Sequence, residues 1–172
     1  GPMRRALLLG PLAAAFAAQA QTPDPTAAEF DKFREILEQD NPAQVFEVKG
    51  EELWKKPRGP KNASLAACDL GLGPGVVKGA YAQLPRYFAD VDRVMDAEAR
   101  IVHCMVTLQG YGYAELAKSP FSNANRTPDP VSITTYVAAQ SAGMKIAAPQ
   151  AHPKERAAYA AGQEMFFYRA GP

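Results

Sequence analysis

The sequence holds few of the residues that build catalytic or metal sites. Its 172 residues include only two cysteines and two histidines. We find no nucleophile–base pair, no cluster of metal-ligand residues and no phosphate-binding loop. The Cys-x-x-Cys-His motif that attaches a c-type haem is also missing, because Cys68 is followed by Asp69-Leu70-Gly71-Leu72. This stretch therefore cannot attach haem.

A charge excess of either sign is missing as well. The chain has 19 Lys and Arg against 18 Asp and Glu, which gives a net charge of +1. Such a balance provides no basic surface for nucleic acid or for an anionic membrane. Hydrophobic residues make up 47% of the sequence, enough for the chain to fold around a core of ordinary size.

Residues 1–20 have the pattern of a secretory signal peptide behind a Gly-Pro remnant. Arg4 and Arg5 provide the positive start, a short apolar stretch follows, and the range ends in an Ala-Gln-Ala cleavage site. The apolar stretch is shorter than the roughly 20 residues that a membrane span needs. We therefore expect export, and loss of the two arginines leaves the mature chain with a net charge near −1.

Apolar periodicity and helix-stop residues predict an all-α domain with long loops. The predicted helices span about Thr26–Gln39, Val91–Gln109 and Val131–Ala142, with a last helix from Pro153, a helical turn at Gly50–Lys56 and a short helix capped by Ser64. Asn41-Pro42 is expected to end the first helix. Gly110 is expected to end the helix Val91–Gln109, whose apolar stripe includes Val94 and Ile101. Val45–Lys49 is the only candidate strand. Long loops between a few helices are typical both of a fold that wraps a cofactor and of a domain held by a disulfide.

Cys68 and Cys104 have the most specific chemistry in the sequence. In an exported chain, two cysteines form a disulfide more often than they form a metal site. His103 lies beside Cys104, but helical geometry places it on the polar side of its predicted helix, so we expect a solvated residue and not an axial haem ligand. We expect His152, directly before Pro153, to lie at a helix start and not to bind a metal.

Aromatic and basic residues in the middle of the chain are expected to have structural roles. The aromatic side chains expected in the core are Trp54, Tyr81, Tyr87 and Phe88. A locally positive stretch is interpreted as a solvated loop face in preference to an anion site; it comprises Arg58, Lys61, Lys78 and Arg86.

Gly162-Gln163-Glu164-Met165-Phe166 has a Gly-x-x-x-aromatic spacing, with Tyr159 on the same helical face. In class I cytochromes c, a helix with this spacing runs directly into the haem-binding motif. The glycine allows two helices to cross closely, and the aromatic ring fills the gap beside it. Taken alone, the spacing is also explained by a terminal amphipathic helix.

Three stretches together resemble the SoxA family, the cytochrome c subunits of periplasmic thiosulfate-oxidising systems: Arg58–Asp96 followed by Cys104, Gly50–Trp54, and His152–Pro172. The resemblance covers most of the chain after Gln21. SoxA proteins carry either a haem or a disulfide in the N-terminal domain, and the Cys68–Cys104 pair matches the second kind. In the family, the segment similar to Gly162–Phe166 leads to the Cys-x-x-Cys-His motif of a second domain.

The resemblance implies a haem-free, cytochrome c-like domain over residues 21–150 and the first helix of a second, truncated cytochrome c domain over residues 151–172. For the full-length protein it implies an L-cysteine S-thiosulfotransferase, which joins thiosulfate oxidatively to a cysteine of the SoxYZ carrier while electrons leave through haem c. It also implies a periplasmic heterodimer with the cytochrome SoxX. The family's catalytic haem and the cysteine that ligates it belong to the second domain. The resemblance therefore assigns no catalytic, cofactor-binding or metal residue to this chain, which we expect to be inactive alone.

A second hypothesis is an exported helical module that acts as an interaction or scaffold domain without catalysis. The missing haem motif favours this hypothesis slightly. The end of the sequence inside a helix that approaches a haem motif counts against it.

Overall fold

The computed structural model describes residues 41–118 and 129–170. The first helix, α1 (Pro42–Lys55), begins where the sequence predicted a helix end. The side chain of Asn41 caps it by accepting the N–H of Ala43 at 3.0 Å. Pro42 suits the first turn, because its fixed φ is helical and its missing N–H needs no acceptor there.

The sequence predictions for the region of α1 were largely wrong. Val45–Lys49 is helical and not a strand, and the single turn predicted at Gly50–Lys56 is the second half of a longer helix. Tertiary packing explains the difference, since the buried half of α1 rests on another helix, and packing overrides the weak preference of valine for strands. The predicted signal peptide and the predicted helix Thr26–Gln39 lie outside the described residues.

The chain from Lys56 to Ala80, all of it described, forms turns and isolated bridges without a helix. The short helix predicted at Ser64 is absent. The hydroxyl of Ser64 instead accepts the N–H of Ala66 at 3.3 Å, a local bond that competes with helix formation. A 3₁₀ turn follows at Tyr81–Gln83.

The mostly helical fold that the sequence predicted also contains a small antiparallel hairpin, which was not predicted. Strands β1 (Arg86–Phe88) and β2 (Arg93–Met95) pair with Tyr87 opposite Val94. The predicted start of the helix Val91–Gln109 was therefore too early. The strands were missed because three residues are too few to show alternation, and because Val94 also fitted a helical stripe.

The helix that does form, α2 (Ala97–Cys104), is capped by Asp96, whose carboxylate accepts the N–H of Ala99 at 2.8 Å. It continues as a π-helical turn over Met105–Gln109. Gly110 ends the helix with φ +85°, as its position in the sequence predicted.

Three further helices complete the described chain: α3 (Tyr113–Lys118), α4 (Pro130–Ala139) and α5 (Pro153–Ala170). The predicted start at Pro153 is confirmed. The helix predicted over Val131–Ala142 is present but ends three residues earlier. Residues 119–128, between α3 and α4, lie outside the described residues.

The core lies where α1 crosses α4. Trp54 of α1 and Tyr136 of α4 have ring centroids 6.3 Å apart, and both side chains are buried. Phe88 is buried as predicted, in a smaller cluster under the hairpin. Two other predictions were wrong: Tyr81 is 37% exposed, and Tyr87 is half-buried.

The described residues belong to one compact unit, which spans residues 41–172. The boundary predicted between residues 150 and 151 stays a prediction. Across the described parts of the chain, none of the helices has the combination of length and apolar character that crossing a membrane requires.

Candidate functional site

A disulfide joins Cys68 to Cys104, with a Cα–Cα distance of 5.7 Å. Cys104 is the last residue of α2, and Cys68 lies in the long loop, where its N–H donates to the carbonyl of Leu65 at 2.9 Å. Both cysteines are buried, at 1% and 4% exposure. The bond therefore holds a loop that has little regular structure against the central helix.

Arg100, which is not among the residues predicted from the sequence, holds the same loop from a second side. Its Nε donates to the carbonyl of Asp69 at 2.7 Å, and its Nη1 donates to both carboxylate oxygens of Asp90 at 2.8 and 3.0 Å. Its guanidinium group also lies 4.0 Å from the ring centroid of Phe88. One buried cation thus links the loop, the hairpin and α2.

A signal for Arg100 was present in the sequence. It lies one helical turn before Cys104, so the two side chains share a face at the edge of the apolar stripe, and a charged residue there needs partners in order to be buried. Burial alone would raise the pKa of Asp90, but the hydrogen bonds and positive charge of Arg100 lower it overall. The ion pair is half-open to solvent, since Asp90 is 53% exposed and Arg100 is 7% exposed.

The two histidines have protein partners. His103 is only 17% exposed, so the prediction of a solvated residue was wrong: Nδ1 lies 3.4 Å from the hydroxyl of Tyr113 and Nε2 lies 3.8 Å from Asp90. Burial, followed by the charge of Arg100, lowers the pKa of His103. His152 lies at the start of α5 as predicted, where its Nδ1 accepts the N–H of Lys154 at 3.1 Å.

The residues around the disulfide do not fit a c-type haem. Such a haem needs two free thiols for attachment and a histidine beside the second thiol. Here the two sulfurs are bonded to each other. The side chains packed around them fill the space and are fully buried: Leu65, Leu70, Ile101 and Met105. Within the part of the chain that the structure describes, no group of three or more His, Cys, Asp or Glu side chains could hold a metal ion.

The locally positive stretch divides into residues with different contacts. Arg58 is buried at 8% exposure, with its guanidinium carbon 5.7 Å from the ring centroid of Tyr111, so the prediction of a solvated face was wrong for this residue. Burial lowers its pKa. Lys61 is exposed and donates to the carbonyl of Thr107 at 2.9 Å. Arg86 is half-buried against Gly71, and Lys78 is exposed.

The start of α5 is attached to the hairpin by polar contacts. Glu155 accepts the N–H of Tyr87 at 2.9 Å and the N–H of His152 at 3.0 Å. Lys154 donates to the carbonyl of Asp92 at 2.6 Å and pairs with its carboxylate at 2.7 Å. The rings of Tyr87 and His152 stack with centroids 3.7 Å apart.

These contacts lower the pKa of two carboxyl groups, those of Glu155 and Asp92. Burial would raise the pKa of Glu155, but the two N–H groups and the positive charge of Arg86 lower it overall. Hydrogen bonds from Lys154 and Tyr87 lower the pKa of Asp92. The charged forms are therefore the ones that hold α5 in place.

Beyond its first turn, α5 presents aromatic side chains to solvent. Their exposed fractions range from 53% to 81%: Tyr159, Phe166, Phe167 and Tyr168. An apolar groove of about 470 Å³ lies along this helix, bounded by Pro85 and Val94 of the hairpin region and by Ala148 to Gln150. Gly162 faces open space, because a Cβ atom built there would have no neighbour within 4 Å.

A family model and individual relatives both match this chain to the family that its sequence resembles. The SoxA/TsdA cytochrome c domain model matches residues 49–146. The L-cysteine S-thiosulfotransferase subunit SoxA of Hydrogenophilus thermoluteolus is 45% identical over 142 residues, which is 83% of this chain and 52% of the relative. The subunit of the same name from Hydrogenobacter thermophilus is 36% identical over 155 residues, 88% of this chain and 56% of the relative.

This chain therefore spans about half the length of the curated relatives that it matches. The matched range, residues 49–146, contains α1 from Lys49 onward, the disulfide loop, the hairpin, α2 and α4. It thus covers the whole disulfide-bonded core. By this match, and by its disulfide-bonded, mostly helical architecture, the chain belongs to the SoxA/TsdA family of cytochrome c domains.

Proposed function

We propose that this chain is the N-terminal, haem-free portion of a SoxA-type L-cysteine S-thiosulfotransferase subunit. The observation that carries the proposal is its 45% identity to a SoxA subunit over 83% of its own length. The disulfide supports it, because a Cys68–Cys104 bond between the loop and α2 matches the kind of SoxA that carries a disulfide instead of a haem in its N-terminal domain.

The reaction of the whole protein would join thiosulfate to a carrier cysteine, in our proposal on a SoxYZ-type partner. The S–H bond of the cysteine breaks, a sulfur–sulfur bond to thiosulfate forms, and one proton and two electrons leave. The remainder of the protein would hold a haem c, which would supply a route for these electrons, and a SoxX-type cytochrome would be the heterodimer partner. None of the described residues is assigned a part in this chemistry.

The role we assign to the described residues is to hold a rigid domain beside the catalytic one. The disulfide and Arg100 fix the long loop from two sides, and one of these links is covalent and independent of pH or salt. A loop fixed in this way keeps its surface in one shape, which lowers the entropy lost when a partner binds.

The exposed face of α5 supports a second cytochrome c domain that begins at about residue 151. Gly162 has open space where a crossing helix could approach closely, and Phe166 is 68% exposed beside it. Monomeric proteins rarely leave a contiguous apolar surface of this kind uncovered. We assign the protein to the periplasm, with residues 1–20 as its signal peptide.

The test uses the complete polypeptide that contains this chain, purified with its cytochrome partner and its carrier protein. Thiosulfate and an electron acceptor are added, and mass spectrometry of the carrier reads conversion of its cysteine. We expect conversion by the complete protein and none by residues 1–172 alone. A haem-loaded complete protein that leaves the carrier thiol unchanged would contradict the proposed activity.

The second hypothesis, a non-catalytic interaction or scaffold module, is not favoured by the relatives. It would gain support if the polypeptide ended near Pro172 in the cell while α5 was fully protected from hydrogen exchange. The proposed two-domain organisation predicts the opposite for the isolated chain.

A further inference from the structure

The helix α5 is attached to the domain in an unusual way. A surface helix normally packs through an apolar stripe. Among residues 153–168, only Glu155 is buried, with 7% of its surface exposed, whereas the aromatic residues of the helix face solvent. The helix is thus held at its base by a carboxylate.

The carboxylate of Glu155 joins two segments. One oxygen accepts the N–H of Tyr87 in β1, and the other accepts the N–H of His152 just before α5. Each bond uses a charged acceptor, and such bonds are stronger than those between neutral groups. The first residues of α5 are therefore fixed to the strand by one side chain.

Lys154 provides a second point of attachment on the same hairpin. Its Nζ reaches both the carbonyl and the carboxylate of Asp92, in the turn that connects β1 to β2. The hydroxyl of Tyr87 donates to the same carboxylate at 2.7 Å. Two separate anchors, one on the strand and one on the turn, define a direction for the helix as well as a position.

We propose that Lys154 and Glu155 form a polar latch that sets the direction in which α5 leaves the β1–β2 hairpin. Glu155 is then a positioning residue for the part of the protein that packs on the exposed face of α5. This last statement rests on the proposed second domain; the latch itself rests only on the contacts described.

The length of α5 makes its direction sensitive to the latch. Its 18 residues form a rod of roughly 27 Å. A tilt of about 10° at the base would move the far end by about 5 Å, for a rise of 1.5 Å per residue. A displacement of this size is large compared with the tolerance of a packed interface or of an electron-transfer path between domains.

The test compares Glu155→Gln with Glu164→Gln in the full 172-residue chain. Both substitutions remove one carboxylate from α5, but Glu164 is exposed. Amide hydrogen exchange by NMR reports on the bonds, and residual dipolar couplings report on the direction of α5 relative to the hairpin. Glutamine keeps one acceptor oxygen and places an NH₂ group against the other N–H, so at least one bond is lost.

With Glu155→Gln, we expect the amide of Tyr87 or of His152 to exchange about tenfold faster or more, the size expected for losing a bond to a charged acceptor. The couplings of α5 should change relative to those of the hairpin. Glu164→Gln should change neither these exchange rates nor the couplings of α5. Couplings of α5 that stay as in the parent chain would overturn the latch, whatever the exchange rates do.

If Glu155→Gln also lowers the hydrogen-exchange protection of α2 and α4, the variant is generally unfolded. Lys154→Met is then the variant that tests the latch. A changed direction of α5 with α2 and α4 still protected supports the latch, and an unchanged direction overturns it. Neither result bears on whether the complete protein conjugates thiosulfate, so the two proposals can fail separately.

Discussion

Replacing Gly50 with alanine tests the packing that defines this domain. Gly50 lies in the middle of α1, where the helix crosses α4. A Cβ atom at this position would overlap the carbonyl oxygen of Ser132 and lie 2.8 Å from the Cβ of Tyr136. The oxygen belongs to the backbone of a helix, so it cannot move aside as a flexible side chain could.

Two opposing terms set the size of the effect. Overpacking a well-filled core costs typically about 1–3 kcal/mol, and contact with backbone places this site near the upper end. Alanine in place of glycine within a helix returns about 1 kcal/mol through helix propensity. We therefore expect the free energy of unfolding of Gly50→Ala to be about 2 kcal/mol lower than that of the parent chain.

Urea denaturation with the disulfide intact measures this difference. Gly162→Ala is the matched control, since it is also a glycine within a helix but has open space around it. The control should show no loss of stability and a gain of up to about 1 kcal/mol. If Gly50→Ala were as stable as the parent chain, α1 and α4 would not cross as closely as described.

Three further predictions follow from the disulfide, the core and the latch. Replacing both cysteines with serine should lower the free energy of unfolding by about 3–4 kcal/mol, from the lost constraint on a 36-residue separation in the unfolded chain. Trp54→Ala should cost about 3–5 kcal/mol because the ring is buried, whereas Phe166→Ala should change stability by less than about 0.5 kcal/mol because 68% of that residue is exposed. The pKa of Glu155 is lowered when α5 is docked on the hairpin. The stabilisation that its carboxylate gives to this docking is therefore present at pH values above the ordinary carboxyl pKa and is lost as the pH falls through the lowered pKa. Arg86 faces this group with positive charge and delays the release, so the dipolar couplings of α5 should change only in acid.

The measurements that check these predictions share simple controls. A reductant should lower the denaturation midpoint of the parent chain but not that of the serine variant. An unchanged midpoint for the parent chain would contradict the prediction for the disulfide. A large loss of stability in Phe166→Ala would mean that α5 closes a complete core, contrary to the exposed face described. Glu155→Gln should remove the acid response of α5; a response that persists must come from another group.

The sequence predicted the parts of this domain that depend on a few specific residues. The stop at Gly110, the start at Pro153 and the burial of Trp54 each follow from local chemistry or from the size of one side chain. The hairpin could not be predicted in the same way. Its strands have three residues each, and Val94 satisfied a helical pattern as well as a strand.

The polar contacts of Arg100 and Glu155 were missed for a different reason. Arg100 and Glu155 are buried because of partners that are distant in the sequence, such as Asp69 and Tyr87. No local pattern specifies these pairs. Asn41-Pro42 shows the same limit, since a dipeptide that can stop a helix here begins α1, and no local pattern specifies the packing of α1 on α4 that stabilises this helix.

Peptide mapping of the complete protein tests the central claim, a haem-free domain held by a disulfide, most directly. The protein is purified from the periplasm without reductant, digested, and analysed by mass spectrometry for haem-linked and disulfide-linked peptides. We predict a Cys68–Cys104 disulfide peptide and covalent haem only on a peptide outside residues 41–170. A haem-linked peptide that contains Cys68 or Cys104 would contradict the account.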